Sequence, residues 1–187
     1  TGPMTNLGMA IRMEPRIVPK IKRIVLMGGA YTNGNVTPAA EFNIIADADA
    51  AYVCFTAGRP ITMIGLDVTR KALCYPSIVD RMDKIGNKAS KLFVDLMRHF
   101  CKSQKEVFGW EGGPLHDPIT IAWLIDPSVV ETKPMHAEID IRSVQSYGRT
   151  NCDFFGYQKL EPNADVGIGI DADKFWDMVE EVLRMYD

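Results

Sequence analysis

Apolar residues along this chain fall into short blocks separated by glycine, proline and polar runs. After the turn cluster Thr1-Gly2-Pro3, Leu7, Ala10, Ile11 and Met13 repeat at helical spacing; Thr5 or Asn6 can cap this helix and Pro15 ends it. Ile24 to Met27 is an apolar run with charges before it and Gly28-Gly29 after it, the pattern of a buried strand stopped by glycines. Residues 30 to 43 carry no period, and Asn33-Gly34 and Thr37-Pro38 mark them as loop. Asp47 to Ala57 predicts a helix closed by Gly58, and Pro60 to Leu66 a second buried strand, followed by the polar segment Asp67 to Lys71.

The spacing then predicts a short helix over 76–85 and a long one over 89–107, whose stripe runs Leu92, Phe93, Leu96, Met97, Phe100. Three glycines between Gly109 and Pro114 break it, and Asp117-Pro118 opens another helix through Ile125. Val129 to Gly148 alternates, which suggests antiparallel or edge strands. Asp165 to Ile170 is a further strand. Asp171 to Tyr186 is an amphipathic helix with Phe175, Met178, Val179, Val182 and Leu183 on one face. Strands alternating with helices give an α/β fold, a Rossmann-like, largely parallel sheet flanked by helices, in one domain over residues 1–187. Such sheets bind ligands beyond the carboxyl ends of their strands, so residues 28–43 and 67–75 are where a site is sought.

Composition narrows the function. Of 187 residues, 47% are hydrophobic and 24% charged, enough apolar surface for a core. Lys+Arg 21 against Asp+Glu 24 gives a net charge of -3, without the basic excess of a nucleic-acid binder. No apolar run reaches the roughly 18 residues of a membrane span. Cys54, Cys74, Cys101 and Cys152 are widely spread with no Cys-x-x-Cys pair, which reads as reduced thiols of a cytoplasmic protein rather than a zinc site.

Two segments hold candidate chemistry. Met27 to Asn43 packs Asn33, Asn35, Glu41 and Asn43 into one aperiodic loop, and amide and carboxylate groups of this kind suit a hydroxyl-rich ligand such as a sugar. The same residues equally suit a solvated loop with Asn in its turns. The Gly28-Gly29 spacing matches no phosphate-binding motif. In Gly112-Gly113-Pro114-Leu115-His116-Asp117-Pro118, a carboxylate and an imidazole meet at a helix start. The carboxylate could bind a hard cation and the imidazole could donate a proton, or Asp117 could simply cap the helix. His99 and His136 are assigned no role. No Gly-x-Ser-x-Gly elbow supports a serine hydrolase.

Taken together, the opening TGPMTNLGMA, the loop IVLMGGAYTNGNVTPAAEFNIIADADAA and the segment GGPLHDP resemble the inosine-uridine-preferring nucleoside hydrolase family over most of the chain. The resemblance implies hydrolysis of the N-glycosidic bond of ribonucleosides to ribose and free base, in nucleoside salvage. It implies Ca2+ as cofactor, with Thr1 offering its backbone carbonyl and Asp117 its carboxylate. Asn35, Glu41 and Asn43 would hold ribose hydroxyls with Met27 near the sugar, and His116 would protonate the departing base. It implies a homo-oligomer, a dimer or tetramer, for a complete chain. His116 before Asp117, with Gln104 one helical turn from Phe100, leans towards pyrimidine nucleosides. The family also carries an Asp-x-Asp-x-Gly-x-Asp-Asp loop that supplies most calcium ligands; no such run occurs in these residues. The expectation is therefore a nucleoside hydrolase fold lacking its N-terminal part, inert by itself, or else a non-catalytic binding or assembly module on that fold.

Overall fold

The computed structural model of the chain describes residues 2–186. In chain order the elements are α1 (Thr5–Met13), β1 (Ile24–Met27), α2 (Phe42–Ile45), α3 (Ala48–Phe55), β2 (Ile61–Ile64), α4 (Leu66–Thr69), β3 (Leu73–Cys74) and α5 (Pro76–Asp83). There follow α6 (Lys88–Phe108), β4 (Gly113–Pro114), α7 (Pro118–Ile125), β5 (Val130–Met135), β6 (Ala137–Ile139), β7 (Thr150–Cys152), β8 (Ala164–Ile170) and α8 (Ala172–Arg184). The residues gather into two compact units: one runs up to Val68 and resumes over Val130–Gly169, the other comprises Thr69–Val129 and the segment from Ile170 onward.

The first unit is built on a four-stranded sheet in the order β1-β2-β8-β5. β2 runs parallel to both neighbours, with Ile24 opposite Ile61, Met27 opposite Ile64 and Met63 opposite Val166. Every residue of β2 is buried, Thr62 included, which explains why its sequence lacks the alternation of a strand with one solvated face. Ile44, Ala48, Ala51, Cys54 and Phe55 from α2 and α3, Ile11 from α1 and Met4 at the N-cap of α1 close the core over this sheet. Small residues set the approach of α1 to α3: a Cβ on Gly8 would lie 2.8 Å from that of Ala50. Polar contacts fix the same pair. Asp47 accepts from Thr5 Oγ1 at 2.5 Å and caps α3 by accepting from Ala50 N at 3.0 Å. These two bonds hold its carboxyl below the usual carboxylate value.

The predicted alternation over 129–148 divides between two ladders. β5 joins the main sheet beside β8, and β6 pairs antiparallel with β7, placing Ile139 opposite Thr150.

The second unit holds α5, α6, α7 and α8 with the two-residue ladder of β3 and β4, in which β3 packs against α5 and β4 against α6. Asn87 caps α6 by accepting from Ser90 N at 2.8 Å, and Gly109 ends it with φ 72°, the left-handed turn that glycine makes without steric cost. The Asn87 amide also donates to the carbonyls of Leu183 and Tyr186, tying the start of α6 to the end of α8. The stripe expected on α6 is corrected. Leu92 and Leu96 are 62% and 61% exposed, and the buried positions are Ser90, Val94 and Met97. The helix has apolar residues on two faces, and its partners select the 90-94-97 face. On α8, Phe175 is buried together with Trp176, whereas Val182 faces solvent. All four cysteines are free thiols. Among the described residues no helix is long and apolar enough to cross a membrane.

Candidate active site

The loop leaving β1 is aperiodic in sequence but densely bonded. Gly29 has φ 74°, and its carbonyl accepts from Leu66 N at 2.9 Å. Ala30 exchanges both backbone groups with one hydroxyl, its N–H donating to Thr150 Oγ1 at 2.9 Å and its carbonyl accepting from it at 2.5 Å. Asp67, just past β2, accepts from Tyr31 N at 2.7 Å and from the Thr32 hydroxyl. Further on, the Ala40 carbonyl accepts from Asn35 N at 3.1 Å and Val36 N at 3.2 Å. These bonds satisfy backbone groups that no helix or strand serves.

Met27, Asn35, Glu41 and Asn43 are drawn together at this loop. Glu41 is 3% exposed. Its Oε2 accepts from Gly29 N at 2.8 Å and Ile44 N at 3.3 Å, and its Oε1 accepts from Asn43 N at 2.9 Å. One buried carboxylate thus caps α2 and holds the strand end against it. The Asn43 amide donates to the Met27 carbonyl at 3.0 Å, which orients the side chain and leaves Oδ1 as its acceptor atom. Asn35 is exposed, and its Oδ1 accepts from Phe42 N at 2.9 Å. The arrangement is a set of oriented amide and carboxylate oxygens at the carboxyl end of a parallel strand.

His116 and Asp117 lie in the second unit. Asp117 stands at the N-cap position of α7, but its side chain makes no capping bond and is exposed. Its carboxylate is therefore not consumed by the helix. His116 is half-buried, and its Nδ1 lies 2.7 Å from Thr69 Oγ1. Burial pushes its pKa down to about 4, against the opposing pull of Asp117 and with a smaller push from Arg70. With its pKa lowered in this way, the ring is neutral near pH 7.

Thr1 lies outside the described residues. Sequence reasoning missed three side chains that shape these segments: Thr150, Asp67 and Thr69. Asp67 had a signal, being the first charged residue beyond the apolar β2 run, at a strand end where sites form. Thr150 and Thr69 had none.

A sequence profile described as inosine-uridine preferring nucleoside hydrolase matches residues 1–177. Pyrimidine-specific ribonucleoside hydrolase RihB of Shigella flexneri serotype 5b is 49% identical over 185 residues, covering 99% of this chain and 59% of that protein. RihB of Escherichia coli O157:H7 matches with the same identity and coverage, 49%, 99% and 59%. The chain thus spans about three-fifths of the length of these curated relatives, 59%. Among solved structures, a purine-preferring ribonucleoside hydrolase from Gardnerella vaginalis superposes with TM-score 0.88 at 34% identity, covering 99% of this chain and 60% of that one. A plant nucleoside hydrolase, PpNRh1, does so with TM-score 0.88 at 26% identity, covering 98% and 60%. On its sequence and its fold alike, the chain belongs to the inosine-uridine preferring nucleoside hydrolase family.

Proposed function

We propose that this chain carries the ribose-binding loop and the leaving-group histidine of a ribonucleoside hydrolase. The reaction is cleavage of the N-glycosidic bond to ribose and free base, in cytoplasmic nucleoside salvage by a homo-oligomer. The observation that carries the reading is the Glu41 hub, which orients Asn43 at the end of β1. Relatives 49% identical and named pyrimidine-specific favour uridine and cytidine over inosine.

Cleavage builds positive charge on the ribosyl ring, as in other glycoside hydrolysis. Acceptor oxygens of Asn35, Glu41 and Asn43 hold the ribose hydroxyls, and fixed electron-rich groups near the ring favour that charge. Because the loop is already bonded, little reorganisation opposes this. His116 serves the departing base. With its pKa lowered to about 4 by burial, the neutral ring serves the base through its N–H.

Calcium is the metal this reading implies, with Asp117 and Thr1 as donors. Calcium takes six to eight oxygens. Among the described residues no group of three or more His, Cys, Asp or Glu could hold a metal. These residues do not by themselves complete a shell for the ion. We infer that the 187-residue polypeptide by itself does not turn over nucleosides, since Asp117 and Thr1 offer fewer oxygens than calcium takes.

Intact mass, paired with a calcium-supplemented assay of ribose release from uridine and inosine, tests this reading. The expected result is hydrolysis, uridine first, only in samples where a further polypeptide accompanies the chain. Turnover by the homogeneous chain overturns its inertness. Amide signals of residues 27–43 that do not move with millimolar uridine overturn the ribose-binding role.

A further inference from the structure

The Thr69 hydroxyl is a buried polar group to which the chemistry above gives no task. Thr69 ends α4 and is fully buried, with 0% exposure. Its side chain has one hydrogen-bond partner among the described residues, Nδ1 of His116 at 2.7 Å and 47 positions along the chain. A contact between hydroxyl and ring nitrogen can run either way. If Nδ1 carried the proton, the Thr69 O–H would be left in the interior with no acceptor. If the hydroxyl donates to the Nδ1 lone pair, the O–H is satisfied and only spare acceptor capacity on oxygen is unused. The second arrangement is favoured, because a buried donor without a partner costs more than an idle lone pair.

We propose that Thr69 is a positioning residue whose hydroxyl donates to Nδ1 of His116, holding the ring as the Nε2–H tautomer. The bond also fixes the plane of the imidazole, so that Nε2–H is its outward donor. The consequence for catalysis rests on the reading of His116 as donor to the leaving base. A ring in the other tautomer would present a lone pair to that base and repel it.

The test is a two-bond proton–nitrogen correlation spectrum of the histidine side chains in the 187-residue chain at pH 7.5, with His116 assigned by loss of its signals in His116→Asn. The expected spectrum has a protonated Nε2 and an unprotonated Nδ1. Thr69→Ser retains that pattern, and Thr69→Val converts it to a mixture of tautomers. A dominant Nδ1–H in the parent chain, or an unchanged ratio in Thr69→Val, overturns the proposal. Should Thr69→Val fail to fold, the parent spectrum still decides. The spectra require no turnover, so they stand apart from the fate of the hydrolase reading. In a sample that hydrolyses uridine, Thr69→Val lowers kcat roughly tenfold or more with KM unchanged, and Thr69→Ser restores it. An unchanged kcat in Thr69→Val overturns the positioning role.

Discussion

The two candidate polar groups of this protein are built on opposite plans. In the loop after β1, the side chains proposed to meet a ligand also hold the loop together: Glu41 binds three backbone N–H groups, and Asn43 binds the Met27 carbonyl. At the start of α7, Asp117 supports nothing with its side chain, and His116 leans on a single hydroxyl. Glu41 and Asn43 cannot be altered without disturbing the fold. The second group can, so chemistry and stability are separable there.

Substitution breaks or sharpens this contrast. The largest effect is expected for Glu41→Ala, which orphans three buried N–H groups and should cost about 3–5 kcal/mol in urea unfolding, with the midpoint lowered and the slope retained. A midpoint equal to the parent's would abolish the contrast.

A smaller effect comes from pH and tests the other group. His116 is held down to about 4 in the folded chain, against an ordinary 6.5 when unfolded. Between these values the unfolded state binds more protons. Stability therefore falls as pH drops from about 6.5 to 4, by on the order of 2 kcal/mol, and the loss levels off below the folded value. Unfolding curves of His116→Asn should be flatter across this window. Equal slopes in the two proteins would show that the ring is not shielded from water.

Asn43→Ala should cost about 1–2 kcal/mol, the loss of one buried amide bond and the freeing of the Met27 carbonyl. It should also weaken uridine binding, so that stability and affinity fall together. Least of all, Asp117→Asn should move the melting temperature by under about 2 °C, since its carboxylate holds no helix group. A drop of several degrees would mean that Asp117 supports α7 after all.

Much of the fold was legible because burial leaves a direct trace in composition. The runs at Ile24 to Met27 and Pro60 to Leu66 are apolar on both faces, and they become the parallel pair β1 and β2. The face of α6 was misread because Leu92 and Leu96 look as apolar as Met97, and only the packed neighbours distinguish them. The candidate residues of the loop stand out in the sequence as a cluster of amides and one carboxylate. Their bonding does not: residues 30–43 have no period, so nothing in them signalled how densely they are tied. Thr150, 120 positions from Ala30, and Thr69, 47 from His116, could be found only once the chain was folded.

One junction described above limits how this sequence can change. The Gly29 carbonyl accepts from Leu66 N, and a Cβ on Gly65 would sit 2.7 Å from that same oxygen. Gly29 itself needs a positive φ, and a Cβ there would press on Thr150 at 2.8 Å. No single replacement at either glycine makes room for a side chain, and a paired replacement must also empty position 150. In a saturation library selected for folding, positions 29 and 65 should return glycine almost alone, while Asn35, exposed nearby, accepts many residues until selection turns to ligand binding.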